Sequence, residues 1–261
     1  MKRFYVTFFT MCLHMLLFAQ SPVNYSKHGW SAWSNENYEE CKDLFEKGAK
    51  MGEAESMGGL AYVYMSGLLK EGRDIEKALY WARKGYELKN GCAAAVVGLI
   101  YCHSYNNYKE ARPFLLFAYH NSFKTPHIGN LICASYIIDG DRESAKKWAD
   151  EIYDAENDST DDLENYAEVC SLLAKLAMDD KDYFTAMQYA EKSTKAFLSD
   201  KAPYNPLAFY VLGRSQLSAN VYPKQGWENV RIAANYEYKH YLIIHAFKDE
   251  IEQYWQTIKQ K

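Results

Sequence analysis

Two short patterns alternate along this chain, and their shared spacing limits its possible folds more than any other feature. The first is a large apolar residue followed by a small one, at Leu60-Ala61, Val97-Gly98, Cys133-Ala134, Leu173-Ala174 and Leu212-Gly213. The second is a small residue followed three positions later by a bulky one, at Cys41 with Leu44, Ala78 with Trp81, Ala111 with Phe114, Ala145 with Trp148 and Ala186 with Tyr189. Two interleaved series with one period are typical of stacked helix pairs.

Small residues have a physical role at this spacing. Where two helices cross closely, a side chain larger than alanine would hold the backbones apart, and a bulky residue one turn away fills the adjoining groove. We therefore predict an all-α fold: a right-handed α-solenoid of about five antiparallel helix pairs with a C-terminal capping helix. The predicted helices lie near 36–50, 54–67, 74–89, 92–105, 108–120, 127–138, 142–155, 161–178, 182–198, 206–219, 225–235 and 239–259.

Turn chemistry supports these boundaries. Thr125-Pro126 and Asn205-Pro206 each place a capping side chain before a proline at the first helical position, where the missing N–H costs nothing. Asn107 with Glu110 forms a variant of the capping box. Asp139-Gly140-Asp141 is suited to end one helix and cap the next. The solenoid is thus expected over residues 36–235, with a capping helix in 236–261.

The first residues have the features of an export signal. Lys2 and Arg3 precede a charge-free apolar run, Phe4–Phe18, and Ala19 offers a small residue for cleavage before Gln20. The run is shorter than the roughly 20 residues that cross a bilayer as a helix. We expect a signal peptide over 1–19, an N-terminal extension over 20–35 and a periplasmic or secreted mature chain without stable membrane insertion. The alternative is a chain tethered to the membrane by an uncleaved signal.

Charge and cysteine content narrow the possible partners. Without Lys2 and Arg3 the chain has 28 basic and 34 acidic residues, and it shows no basic stripe, so we expect no nucleic-acid partner. Five cysteines follow the signal, an odd number with no Cys-x-x-Cys spacing, and we interpret them as small core residues. They are Cys41, Cys92, Cys102, Cys133 and Cys170.

One repeat resembles a known family. Leu60-Ala61-x-x-Tyr64-x-x-Gly67, followed by Asp74-x-x-Lys77-Ala78-x-x-Trp81-x-x-Lys84-Gly85, is similar to a Sel-one-like repeat, a relative of the tetratricopeptide repeat with a longer turn. The resemblance covers most of 36–235 and departs at Arg73, where the usual Gly-x-Gly-Val is absent. Proteins of this family are generally adaptors that hold peptides or partner proteins, so the resemblance implies binding.

Catalytic and metal chemistry find little support in the sequence. Asp161, Asp162 and Glu164 open a predicted helix, where acidic residues favour the positive end of the dipole. His240 and His245 are five apart, which does not place two ligands on one helix face. The chain has no Gly-x-Ser-x-Gly and no phosphate-binding glycine-rich loop. We expect no catalysis, no cofactor and no metal site.

The candidate binding residues follow from the repeat register. In solenoids of this type the first helix of each pair lines the concave face, and the residue after the small one is expected to point into the groove. Lys175 and Arg214 would then hold a carboxylate or an acidic side chain of a protein or peptide, and Tyr62 would hold its apolar part. The full set of predicted positions is Tyr62, Leu99, Ser135, Lys175 and Arg214.

Two further functions stay open. The chain has 23 tyrosines, and those outside the core could form stacking platforms for carbohydrate; a flat exposed group of aromatics would favour sugar, and aromatics interspersed with charge would favour peptide. An enzyme with a helical body would need a carboxyl pair with a raised pKa. Trp30 and Trp33 are expected to fold back onto the first repeat, because two exposed tryptophans would be costly.

Overall fold

The computed structural model describes residues 23–121, 123–157, 163–197, 205–235 and 247–260, and all regular structure in these ranges is helical. The helices are α1 (Tyr25–Ser34), α2 (Tyr38–Lys50), α3 (Ala54–Ser66), α4 (Ile75–Glu87), α5 (Gly91–His103), α6 (Tyr108–His120), α7 (Pro126–Asp139), α8 (Arg142–Asn157), α9 (Leu163–Asp179), α10 (Tyr183–Phe197), α11 (Pro206–Ser218), α12 (Pro223–Ala234) and α13 (Lys248–Ile258). From α2 to α12 these bounds agree with the predicted ones to within two residues.

Consecutive helices pack as hairpins from α1/α2 to α11/α12, which confirms the predicted all-α solenoid. The odd-numbered helices also pack on one another, α1 on α3, α3 on α5, α7 on α9 and α9 on α11. Within the described ranges no two even-numbered helices pack so closely. Because the inner layer of a curved stack is the more crowded one, the odd-numbered helices from α1 to α11 form the inner layer.

Burial differs sharply between the two layers. The inner helix α5 buries eleven of its 13 residues, and α11 buries nine of 13. The outer helix α4, of the same length, buries three, Ala78, Ala82 and Gly85. A helix that is apolar on every side must be covered on every side, whereas an outer helix needs only one apolar stripe. The inner helices therefore form the centre of the molecule.

Close helix crossings explain the small residues of the repeat. A Cβ atom added at Gly213 would lie 2.5 Å from the carbonyl oxygen of Gly226, and one added at Gly98 would lie 2.4 Å from Leu115 Cδ2. Gly226 itself continues the outer series, but Asn229 stands where the earlier repeats have a bulky residue. Asn229 is buried and donates its side-chain amide to Gln216 Oε1 at 3.0 Å. A polar pair thus replaces the aromatic packing in the last hairpin.

Most of the predicted caps form. Thr125 Oγ1 accepts the backbone N–H of Ile128 at 3.3 Å, and the side chain of Asn205 caps α11. Asn107 accepts the N–H of Glu110 at 3.2 Å, but its own N–H donates to the carbonyl oxygen of Tyr101, so the predicted capping box forms only in half. Gly140 ends α7 with a φ of +75°, a left-handed conformation that glycine adopts without strain. Short polar loops therefore fix where each helix begins and ends.

Helix α1 lies in a stretch for which the repeat pattern predicts no helix. It completes a hairpin with α2, and Gly29 is its small residue: a Cβ there would lie 2.4 Å from Phe45 Cε1. The repeat pattern misses it because polar His28 precedes Gly29 in place of a large apolar residue. Trp30 and Trp33 pack against the first repeat's core, as predicted for this segment.

Several predicted features lie outside the described residues. These are the signal peptide over 1–19 with its cleavage before Gln20, the predicted helix start with Asp161 and Asp162, both His240 and His245, and the start of the last helix. The described part of that helix is α13, Lys248–Ile258.

Candidate partner-binding face

Tyr62, the first predicted binding position, packs its side chain against other residues of the same chain. Its ring centroid lies 5.0 Å from that of Trp33 and 6.1 Å from that of Trp30. Both tryptophans belong to α1, so Tyr62 joins the first two inner helices. Burial raises the pKa of its phenol.

The next two predicted positions are buried. Leu99 is 9% exposed and Ser135 is 0% exposed. Ser135 accepts a hydrogen bond at Oγ from Arg112 Nε (2.7 Å) and another at its carbonyl oxygen from Arg112 Nη2 (2.6 Å). Arg112 also pairs with Asp139 at 2.6 Å. A partner could reach Leu99 or Ser135 only after this part of the chain repacks.

The last two predicted positions converge on one carboxylate. Glu250, on α13, lies with Oε1 2.7 Å from Arg214 Nη1 and with Oε2 3.3 Å from Lys175 Nζ. Tyr210 also donates its hydroxyl to Glu250 Oε1 at 2.8 Å. Lys175 is 5% exposed and pairs with Asp179 at 2.6 Å as well. The structure thus brings Lys175 and Arg214 together, while partner binding by the five positions stays a prediction.

Aromatic rings surround this ion pair. Lys175 Nζ lies 5.6 Å from the ring centroid of Phe247, and Arg214 Cζ lies 4.9 Å from that of Tyr254. The rings of Tyr210 and Tyr254 meet edge to face at 5.9 Å. Aromatic faces attract cations more strongly where water is excluded. We call these residues the carboxylate site: Lys175, Tyr210 and Arg214 with Glu250 and its neighbours Phe247 and Tyr254.

The residues that α13 and its N-cap contribute to the carboxylate site are not among the predicted binding positions, although the sequence holds a signal for them. Phe247, Glu250, Ile251 and Tyr254 follow the i, i+3, i+4, i+7 spacing of one helix face. A carboxylate in the middle of an apolar stripe predicts a cation on the surface that the stripe covers. The sequence alone does not show that this carboxylate contacts residues of α9 and α11.

The surroundings of Tyr210 in the carboxylate site keep its phenol protonated, so that it can donate a hydrogen bond. Burial, and then the nearby Glu250 carboxylate, raises the pKa of Tyr210. The phenol therefore keeps its proton at neutral pH and remains a hydrogen-bond donor to an anion. Together with two cations it makes this pocket complementary to a carboxylate.

Elsewhere the described residues offer little for catalysis or metal binding. No group of three or more metal-ligating side chains occurs among them. Every described carboxyl group with a shifted pKa has it lowered, each mainly by hydrogen bonds to its charged form. The raised carboxyl pair that would favour an enzyme is not found in these ranges. None of the described helices is both long and apolar enough to span a membrane.

Five cysteines lie free and buried, in agreement with their interpretation as small core residues. Burial raises the pKa of the Cys41 thiol to about 12 and that of Cys170 to about 11. It raises the pKa of the other three as well. These thiols are therefore protonated and covered at neutral pH.

Among the described residues, exposed aromatics are mostly scattered, with one small group before and within α12. Tyr222 is 73% exposed and Trp227 is 40% exposed, and both line an open pocket of about 620 Å³ with Lys224, Gln225 and Glu228. The rings of Trp227 and Trp255 meet at 5.0 Å. This group mixes aromatic and charged side chains.

Comparison with known proteins shows a likeness of fold. No protein-family model and no curated protein matches the sequence. The structure resembles PilF of Pseudomonas aeruginosa, with a TM-score of 0.58, 16% identity and coverage of 87% of this chain and 96% of that one. The repeats are tetratricopeptide-like.

Two further solved structures share this fold. PilW, a widely conserved type IV pilus biogenesis factor, gives a TM-score of 0.57 at 13% identity, with 83% of this chain and 94% of that one covered. YrrB, a tetratricopeptide repeat protein with an unusual peptide-binding site, gives 0.52 at 18% identity, with 78% and 97% covered. At such identities the likeness is one of fold.

Proposed function

We propose that this chain is an exported, non-catalytic repeat scaffold that binds a protein or peptide through its inner face. The partner presents an acidic side chain or a C-terminal carboxylate to Lys175 and Arg214. The observation that carries this proposal is the contact of Glu250 with three groups: hydrogen bonds from Arg214 and Tyr210 and an ion pair with Lys175. It gives a direct example of the chemistry that the inner face accepts.

The burial of Lys175 supports a carboxylate partner. A buried ammonium ion is costly unless an anion and further hydrogen bonds compensate it. Asp179, on the same helix, supplies one carboxylate, and a second one reaches Lys175 from another helix. The guanidinium of Arg214 adds charge-assisted hydrogen bonds, which are stronger than neutral ones. The site therefore selects for negative charge.

The narrower repeat class that we propose is Sel-one-like. Helices α3 and α4 are joined by eight residues, 67–74, whereas four residues join α5 to α6 and two join α7 to α8. In the long loop, Gly67 has a φ of +75° and Arg73 donates Nε to the carbonyl oxygen of Met65 at 2.8 Å. Arg73 is the position at which the sequence departs from the family pattern. Its side chain caps a carbonyl oxygen at the C-terminal end of α3.

Export rests on the N-terminal sequence. Lys2 and Arg3 before an apolar run that ends at Phe18 are typical of a cleaved signal, so we propose a periplasmic or secreted location. A chain held at the membrane by an uncleaved signal is the alternative. PilW, of similar fold, is a pilus biogenesis factor and YrrB has a peptide-binding site, which are activities compatible with a scaffold.

A capture experiment tests the proposed function. Residues 20–261 are immobilised as wild type, as Arg214→Gln and as Lys146→Gln, a matched loss of one exposed positive charge on α8. Extract of the source cells is passed over each. We expect a protein that wild type and Lys146→Gln retain and Arg214→Gln loses, and whose acidic segment binds as a synthetic peptide. Equal retention by all three, or retention of no protein, would contradict the proposal.

Carbohydrate binding is the second candidate, and the exposed pocket of Tyr222 and Trp227 is the place to test it, although the charged side chains in that pocket are those expected of a peptide site. Sugars stack on exposed aromatic faces and accept hydrogen bonds from side chains such as Gln225. Trp227→Ala would abolish retention on a polysaccharide column if this candidate were correct, while Tyr80→Ala, at an exposed aromatic on α4, would leave it unchanged.

A further inference from the structure

Helix α13 presents one coherent face to the inner layer. Phe247 is 4% exposed and Ile251 is 0% exposed, and Glu250 lies between them on the same face. The partners of Glu250 lie on α9 and α11, which are both inner helices. The segment therefore covers the two inner positions, Lys175 and Arg214, that the repeat register assigns to a partner.

Besides this face, α13 contacts α12, where the rings of Trp255 and Trp227 meet at 5.0 Å. Ile251 is the only residue of α13 that is buried, whereas α11 buries nine. The helix has 11 residues, and isolated helices shorter than about 12–15 residues are marginal in water. Elements with few buried contacts open locally at a lower free-energy cost than the core. Helix α13 is thus the described helix best suited to leave its site.

We propose that α13 is an intramolecular occupant of the partner site, and that the true partner is an amphipathic acidic helix of the same pattern. That pattern is an aromatic residue, a glutamate three positions later, an aliphatic residue next and an aromatic three positions further on, as in Phe247, Glu250, Ile251 and Tyr254. This inference rests on the proposed function and specifies its partner. It also makes binding competitive, because the partner must displace α13 before it reaches Lys175 and Arg214.

The contacts of Phe247, Glu250 and Tyr254 indicate which residues each side chain of the proposed partner would contact. The glutamate meets Arg214, Lys175 and the hydroxyl of Tyr210. The first aromatic lies near the ammonium group of Lys175, and the second lies against the ring of Tyr210 and the guanidinium of Arg214. Helix-in-groove recognition by i, i+3, i+4 and i+7 anchors is a recurrent mode of protein binding.

Binding of one labelled peptide to the full mature chain and its variants tests this proposal. The probe is a fluorescent peptide with the sequence of residues 245–261, and its affinity is measured by fluorescence anisotropy. Glu250→Gln removes the carboxylate that holds α13, and Glu252→Gln is the matched control, since Glu252 is exposed on the same helix. A ligand's apparent affinity rises in proportion to the fraction of open sites.

We expect Glu250→Gln to bind the peptide at least about tenfold more tightly than wild type, and Glu252→Gln to bind it like wild type. A peptide with glutamine at position 250 should lose at least about tenfold in affinity for the Glu250→Gln chain. Adding Arg214→Gln to that chain should also remove the gain, because the opened site then lacks one of its two cations and the hydrogen bond that it donates.

Equal affinity of wild type and Glu250→Gln for the peptide would overturn the proposal and make α13 a fixed cap. The capture experiment could still succeed in that case, so the two failures are distinguishable. Hydrogen exchange on the wild-type chain gives a test without any variant. The amides of α13 should exchange at least about 100-fold faster than those of α11, and equal protection would overturn the proposal.

Discussion

One residue position, the one after the small residue of each inner helix, has a different role at each end of the molecule. At the N-terminal end it holds Trp30 and Tyr62, whose rings lie 6.1 Å apart and fill the space between α1 and α3. At the C-terminal end it holds Lys175 and Arg214, which meet the carboxylate of Glu250. The same register thus supplies packing in one half and charge recognition in the other.

We expect the main role of Tyr62 to be stabilisation of the fold. Replacing it with alanine removes its ring contacts with Trp30 and Trp33 and should lower the free energy of unfolding by about 1–3 kcal/mol. Tyr62→Phe keeps those contacts and should stay within about 0.5 kcal/mol of wild type. Urea unfolding followed by circular dichroism measures both. An alanine variant as stable as wild type would contradict this role.

The cysteines allow a second test at this scale. Because the five thiols are buried and their pKa values are raised, the folded mature chain should react with a thiol reagent at neutral pH far more slowly than the unfolded chain. Counting modified thiols before and after urea denaturation checks this. All five should react once the chain unfolds, and rapid modification of any of them in the folded chain would contradict the described burial.

Helices α11 and α12 cross at a point where each has a glycine, and the missing side chains let the two backbones approach closely. Gly213 and Gly226 face one another there, and a Cβ on either would lie within 2.9 Å of the other's carbonyl oxygen. Earlier inner helices accept alanine at the same register, at Ala61, Ala134 and Ala174. The last hairpin is therefore tighter than those with alanine.

Gly213→Ala should lower the free energy of unfolding by about 1–3 kcal/mol, because its Cβ would meet the backbone of Gly226, which cannot rotate away. Gly98→Ala is the control, since its new Cβ would meet the side chain of Leu115, which can move. The same urea experiment compares them. A Gly98→Ala loss equal to or greater than that of Gly213→Ala would contradict the distinction between backbone and side-chain contact.

The sequence predicts most helices because each signal is local. Caps such as Thr125 and Asn205 act within three residues, and the small residues repeat with the helix pairs. Helix α1 was missed because its small residue, Gly29, lacks the preceding apolar neighbour. The carboxylate site was only half predicted: Lys175 and Arg214 follow from register, whereas their contact with Glu250 is a tertiary pairing that no local pattern encodes.

Over the whole molecule, the two ends of the solenoid are closed in different ways. At the first end, Glu55 accepts hydrogen bonds from Trp30 Nε1 (3.1 Å) and Asn90 Nδ2 (2.6 Å), and so links α1, α3 and the start of α5. At the last end, α13 has a single buried residue, and its Glu250 pairs with both Lys175 and Arg214. The first end is part of the repeat stack, and the last end is where the proposed partner would compete with α13.

A double-mutant cycle between Arg214 and Glu250 tests most directly whether the inner face holds a carboxylate. Unfolding free energies are measured for wild type, Arg214→Gln, Glu250→Gln and the double variant, and a second cycle on Lys146 and Asp150 serves as an exposed control. We predict a coupling of about 1–2 kcal/mol for the first pair and close to zero for the second. Additive effects of Arg214→Gln and Glu250→Gln would contradict the carboxylate site and, with it, the proposed mode of partner binding.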